Sequence, residues 1–215
     1  MGCVLFSRPE HDLTLAYLFA YSKELVNFSK QRGYNVIDKM RKEASKKNIL
    51  KIMGGQKPGL VMFNGHGDTE IICGHDDEVI ISKSENPEAL KNTITYALSC
   101  SSAFALGPEA VKKGAKSFIG YEFDFALGRD PDRESTPLKD KIAKKFLEPS
   151  NILFLSLLKG NCVKESVVKA KKKMKENIDY LSVTNDFPEA SHYAPFLYWN
   201  YVGLAAHGDE EAVFY

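Results

Sequence analysis

Two short segments of this chain end abruptly in side chains able to do covalent chemistry. Leu60-Val-Met-Phe-Asn-Gly-His-Gly67 delivers an imidazole, and Thr93-Ile-Thr-Tyr-Ala-Leu-Ser-Cys100 delivers a thiol. Continuous apolar runs of that length suit strands buried on both faces, as in a parallel sheet. Chemistry in such sheets sits just outside the carboxyl ends of the strands. Neighbouring strands lie ~4.8 Å apart, so adjacent placement would put His66 and Cys100 in one crevice. That pair reads as a cysteine nucleophile with a histidine that holds the thiolate or protonates a leaving amine. Cys100 reads as the point where a strand hands over to a helix, whose N-terminal partial positive charge would favour thiolate. The backbone N–H groups of Gly67 and Cys100 are candidates for an oxyanion hole. Gly65 and Gly67 let the backbone approach a substrate closely.

The elements that must position these groups follow from periodicity. Cys3-Val-Leu-Phe6 reads as the first buried strand. Asp12 caps a helix with apolar positions at Leu13, Tyr17, Tyr21, Leu25 and Phe28, stopping at Gly33. Tyr34 to Ile37 is a second strand, and a basic helix from about Arg41 should end at Gly54-Gly55. Glu70 to Cys73 and Glu78 to Ile81 flank a turn and predict a hairpin outside the main sheet. Asn86-Pro87 opens a short helix before the Cys100 strand, and Ser101 and Ser102 are candidate caps for a helix running to Gly114. Ser117 to Gly120 is the next strand. The polar segment 128–137, rich in Asp, Arg and Pro, is expected to be mobile or cleavable, with Arg129 and Arg133 as cut sites. From Leu138 the chain reads as helical. Its clearest stripe is Val163, Val167, Ala170, Met174, Ile178 and Leu181, with lysines on the solvated side.

Composition narrows the rest. The chain has 215 residues, 44% hydrophobic and 27% charged, which fits one α/β domain spanning 1–215 with a real core. A formal net charge of +1 gives no electrostatic reason to expect nucleic acid or an anionic membrane as partner. Four irregularly spaced cysteines, no signal-peptide pattern and no bilayer-length apolar run point to reduced thiols and a cytoplasmic setting. No phosphate-binding glycine loop is present, and no cofactor is expected. His66, Cys73, His75 and Cys100 are zinc-ligand types, but none has C-x-x-C or H-x-x-x-H spacing, so no metal is expected either.

Asn64-Gly-His-Gly67, Ala97-Leu-Ser-Cys-Ser-Ser102 and Gly114-Ala-Lys-Ser-Phe-Ile-Gly-Tyr121 together resemble the caspase-like (clan CD) cysteine peptidases. The motifs are most similar to the CHAT-domain and gingipain-like proteases, and the aromatic Tyr193 to Tyr201 is similar to the CHAT tail. The resemblance implies a caspase–haemoglobinase fold, a three-layer α-β-α sandwich with a mostly parallel central sheet (1–127) and a helical C-terminal third (138–215). It also implies peptide hydrolysis by His66 and Cys100, with Gly67 and Cys100 forming the oxyanion hole. The caspase signature Q-A-C-[RQG]-G is replaced here by Leu98-Ser-Cys-Ser-Ser102, so aspartate preference is not expected. Asp124 or Glu122, where relatives build the S1 wall, would pair with a basic P1 residue. The expected partner is a peptide or protein substrate, with a regulatory protein, oligomerisation or self-cleavage as means of control. Two alternatives stand beside this reading. One is a catalytically silent scaffold or signalling module. The other is a glutamine amidotransferase-like hydrolase pairing Cys100 with His207.

Overall fold

A computed structural model describes residues 2–186 and 189–215. Strand β1 (Cys3–Arg8) leads into helix α1 (Leu13–Gln31), strand β2 (Asn35–Met40), helix α2 (Lys46–Gln56) and strand β3 (Leu60–Asn64). A hairpin of β4 (Ile71–Cys73) and β5 (Val79–Ser82) precedes β6 (Ile94–Leu98), α3 (Leu106–Lys112) and β7 (Ser117–Tyr121). Helices α4 (Lys141–Leu158), α5 (Val163–Val183) and α6 (Ala190–Gly203) follow, and β8 (Leu204–Gly208) closes the order. The main sheet runs β2-β1-β3-β6-β7-β8, parallel throughout except for β8.

Successive strand side chains point to opposite faces, and this alternation divides the core in two. Val4, Phe6, Met62, Tyr96 and Ile119 pack beneath Leu15 and Leu18 of α1, Phe154 of α4, Met174 of α5 and Leu197 of α6. Leu5, Val61, Phe63, Ala97 and Phe118 pack against Ile49 of α2, Ile72 and Ile80 of the hairpin, and Leu106 of α3. The architecture is therefore an α/β three-layer sandwich with a mainly parallel centre. Strands buried on both faces need apolar residues at every position, which is why β1, β3, β6 and β7 read as unbroken apolar runs.

Local chemistry explains the element ends. Asp12 accepts the Leu15 N–H to begin α1, and Gly33, at φ 79°, lets the chain reverse after it. The expected basic helix divides: residues 41–43 form a single 3-10 turn, and Ser45 caps α2 by accepting the Asn48 N–H. Helix α2 runs through Gly54-Gly55 and stops at Lys57 in the left-handed region. The hairpin lies outside the main sheet, as expected.

Two further elements depart from the sequence reading. No helix starts at Ser101 or Ser102; residues 101–105 form turns and α3 begins at Leu106, with no side-chain cap. Strand β8 interrupts the helical C-terminal third and pairs antiparallel with β7, so the sheet edge is built from a segment read as helix. Pro131–Arg133 and Pro137–Lys139 form two 3-10 turns on either side of residues 134–136, and the segment is anchored on Asp140, which is buried. Asp140 Oδ2 accepts the Asp130 N–H and the Tyr17 hydroxyl, while Oδ1 accepts the Ile142 and Ala143 N–H groups to cap α4. No helix among the described residues is long and apolar enough to cross a membrane.

Candidate active site

Strands β3 and β6 are hydrogen-bonded neighbours with Asn64 opposite Leu98. His66 and Cys100 each lie two residues beyond that pair, so both leave the sheet at the same rim. Asn64 is buried and its amide donates to Leu18 O (3.1 Å) and Ser22 Oγ (3.0 Å), tying the end of β3 to α1. The hairpin holds the next residues: the Cys73 N–H donates to His66 O at 2.9 Å and the Asp68 N–H to Ile71 O at 3.3 Å. This close lamination needs glycine. A Cβ at Gly65 would stand 2.2 Å from Cys73 O, and one at Gly67 would stand 2.7 Å from Ile71 O.

His66 is half-exposed, and its Nε2 contacts Asp12 Oδ2. Burial opposes the Asp12 charge, yet hydrogen bonds from His66 and the Leu15 N–H, with the charges of His66 and His11, hold its pKa below the ordinary carboxylate value. Sequence reasoning saw Asp12 only as a helix cap. The signal that could have revealed it is topological: β1 pairs with β3, so the residues after β1 flank those after β3.

Cys100 is partly buried. Burial pushes its thiol pKa up, a hydrogen bond from the Phe125 backbone pulls it down, and the Asp124 charge raises it again. The balance favours the neutral thiol, which corrects the expectation of a helix-stabilised thiolate: the helix N-terminus is absent there. Ser101 instead adopts a left-handed backbone, φ 49°, held by its N–H on Phe123 O (3.1 Å) and its hydroxyl on Asp124 Oδ1 (2.6 Å). Strain of this kind persists where surroundings over-determine it. Among the described residues, neither the Gly67 nor the Cys100 N–H is paired with a backbone carbonyl in the turns and loops.

The two acids expected to bind substrate differ in placement. Asp124 is exposed beside Cys100, its own carbonyl accepting the Trp199 indole N–H at 2.9 Å. Glu122 turns toward His207, whose Nε2 lies 3.7 Å from Glu122 Oε1. His207 sits on β8 opposite Phe118 and packs against Gly107 of α3. Phe118 lies three residues before Tyr121, the rim end of β7, and this register gives an amidotransferase-type pairing of His207 with Cys100 no support. The aromatic tail is α6; Trp199 packs at a tilt against Phe123 with ring centroids 4.7 Å apart and so buttresses the Asp124 segment. Cys73 is buried, with its thiol pKa pushed up to about 11 mainly by burial.

No protein-family model and no curated protein matches this chain. Solved structures do. With 99% of this chain aligned, the complex of the pro- and mature domains of Porphyromonas gingivalis RgpB is similar at a TM-score of 0.61 and 12% identity, over 48% of its own chain. The Arg-specific cysteine proteinase gingipain R is similar at 0.58 and 14% identity, again over 99% of this chain and 47% of its own. A weaker likeness, TM-score 0.47 and 10% identity, is to an inactive zymogen C11 protease from Parabacteroides distasonis, over 81% of this chain and 58% of that one. The fold is that of the caspase-like cysteine proteinases. The chain spans about half the length of the gingipain structures it matches.

Proposed function

We propose that this chain is a cysteine endopeptidase core acting through Cys100 and His66. The observation that carries the reading is the register of β3 against β6, Asn64 opposite Leu98, which brings both residues to one rim. Because Nε2 of His66 faces Asp12, Nδ1 is the nitrogen left for the thiol. With the thiol neutral at rest, Nδ1 takes the Sγ proton as sulfur attacks the peptide carbonyl carbon. The oxyanion is met by the Gly67 and Cys100 N–H groups. Collapse breaks the C–N bond, Nδ1–H protonates the leaving amine, and a thioester remains on Cys100. Water, deprotonated by His66, then releases the carboxylic acid and restores the thiol. Asp12 acts as a positioning residue that holds the imidazole and offsets its positive charge.

Asp124 is the residue we assign to a basic P1 side chain, by charge-assisted hydrogen bonding. The Arg specificity printed for gingipain R belongs to that protein and is consistent with this assignment. Glu122 is secondary, since it turns toward His207, whose Nε2 lies 3.7 Å away. The Leu98-Ser-Cys100 and Gly114 to Tyr121 motifs favour the CHAT and gingipain-like branch. Four free cysteines suit a reducing compartment such as the cytoplasm. Control by a regulatory partner, oligomerisation or cleavage at Arg129 or Arg133 fits a protease of this type.

The test is a peptide-library digest with the wild-type chain and Cys100→Ala, His66→Ala and His207→Ala variants, alongside labelling by a thiol-directed probe. Cleavage lost in the first two variants and kept in the third is the expected result. Absence of any cleavage by the wild type, with the fold intact, would leave a silent scaffold.

A further inference from the structure

Three of the five histidines in this chain gather at the rim beside Cys100. His11 follows β1, His66 follows β3, and His75 lies in the hairpin turn. The His11 ring centroid is 6.0 Å from that of His66 and 5.0 Å from that of His75. One donor atom each from His11, Asp12 and His66 lie within 4.8 Å of one another. The place is also where the sheet changes direction of growth: from β1 the chain moves outward to β2, and from β3 it moves the other way to β6. Crevices at such switch points are where open α/β sheets take ligands.

We infer that His11, Asp12 and His66 form a binding site for a zinc-class divalent transition metal, and that the bound ion silences the peptidase. The donor set decides the class. Two imidazoles and one carboxylate suit Zn²⁺, Co²⁺ or Ni²⁺, whereas Ca²⁺ and Mg²⁺ need mostly oxygen ligands. Zinc bonds of ~2.0–2.2 Å require the three donors to close in by small side-chain rotations, leaving a fourth position for water. The Asp12–His66 pair is already in contact. His11 is held only by long contacts, its Nδ1 accepting the Asp76 N–H at 3.2 Å and its Nε2 lying 3.2 Å from Asp77 Oδ1. One of these gives way when the metal binds, and the other orients the ring as second-sphere contacts do. Asp76 and Asp77 add negative charge that favours a dication.

The consequence for catalysis rests on the peptidase reading. Metal on Nε2 of His66 takes the place of the proton that this nitrogen would donate to Asp12, and a neutral imidazole then carries its proton on Nδ1. That nitrogen can no longer accept the thiol proton, so acylation stops. No redox change or additional reactant is involved. Spacing along the chain hid this site because its ligands come from two separate loops. Cys73 and Cys100, weighed as ligands from sequence, are not in the cluster. A second triad, His11, His75 and Asp76, shares the pivotal His11, and His75 Nδ1 is buried without a hydrogen-bond partner among the described residues.

The experiment uses the full chain carrying Cys100→Ala, which removes the thiol as a ligand and needs no turnover. Calorimetry with Zn²⁺ and the visible absorption of Co²⁺ should report one site. His11→Asn and His66→Ala should each weaken it at least 10-fold, and His75→Asn should change it little. Asparagine keeps an acceptor where Nδ1 stands, so the Asp76 N–H stays bonded; if that variant does not fold, His11→Gln replaces it. In the protein with Cys100 intact, Zn²⁺ should inhibit reversibly, a chelator should restore cleavage, and His11→Asn should raise the inhibitory concentration at least 10-fold, each inhibition curve being scaled to that variant's own metal-free rate. Absence of binding, binding indifferent to His11, or binding lost with His75→Asn but kept with His66→Ala would each overturn the site. Binding as described in a chain that cleaves nothing would sink the peptidase reading and leave the metal site standing.

Discussion

One carboxylate of this protein serves two elements: Asp12 Oδ1 accepts the Leu15 N–H that starts α1, and Asp12 Oδ2 contacts His66 Nε2 at the end of β3. The helix start and the imidazole orientation are therefore set by the same side chain. Asparagine caps helices about as well as aspartate, which allows the two roles to be separated. Asp12→Asn should keep the unfolding free energy from urea titration within about 0.5 kcal/mol of wild type while turnover falls on the order of 10²-fold or more, as in triads that lose the acid. Asp12→Ala should lose the same activity and also about 1 kcal/mol of stability.

Only thiolate is alkylated, so the environment of Cys100 can be read from the pH dependence of its reaction with iodoacetamide. Burial and Asp124 raise this thiol, so the rate should climb with pH to a midpoint above the ordinary value of 9.0. Asp124→Asn removes a negative charge and should move that midpoint down. A wild-type midpoint below neutrality would mean a preformed ion pair and contradict the neutral resting thiol.

Paired glycine substitutions distinguish packing from propensity. Gly65→Ala drives a Cβ to within 2.2 Å of the Cys73 carbonyl and should cost about 1–3 kcal/mol by denaturant titration, with activity lost as His66 shifts. Gly54→Ala, inside α2 with nothing within 4 Å of its Cβ, should stabilise by about 0.5–1 kcal/mol.

Arg8 is buried and makes a bidentate pair with Asp38, at 2.9 Å for both bonds, while donating to Phe19 O at 2.8 Å. It fastens the carboxyl end of β1, just before His11 and Asp12, to β2 and α1. Asp38→Ala strands this guanidinium and should cost about 3–5 kcal/mol, the usual result of removing one partner from a buried pair. A loss below 1 kcal/mol would show that solvent reaches the site.

Substrate choice tests Asp124. With Arg, Lys and Leu reporter peptides, kcat/KM for the basic pair should exceed that for Leu, and Asp124→Ala should lower it at least 10-fold without a matching fall for Leu. Equal cleavage of Arg and Leu by the wild type would remove Asp124 from specificity.

Much of this was legible from residues alone. Strands buried on both faces announce themselves as apolar runs, so β1, β3, β6 and β7 are legible, and with them the strand ends beyond which His66 and Cys100 stand; that these two ends are adjacent comes from the pairing of β3 with β6. The α1 cap at Asp12 and the stripe on α5 were equally local. Strand β8 was not found, because it follows α6 without a break and takes its identity from pairing with β7. The turn after Cys100 was misread for a related reason. Serines suit caps and turns alike, and the left-handed Ser101 is selected by Phe123 and Asp124, more than twenty positions away.

The sequence by itself determined which side chains could do chemistry here and at which strand ends they stand, since periodicity and strand length are properties of contiguous residues. Tertiary structure alone decided that Asp12 meets His66, that His11 joins them, that His207 turns to Glu122, and that the Cys100 thiol is raised. Those outcomes depend on which loops the sheet order brings side by side and on how deeply packing buries a group, and neither is written in any local stretch of chain.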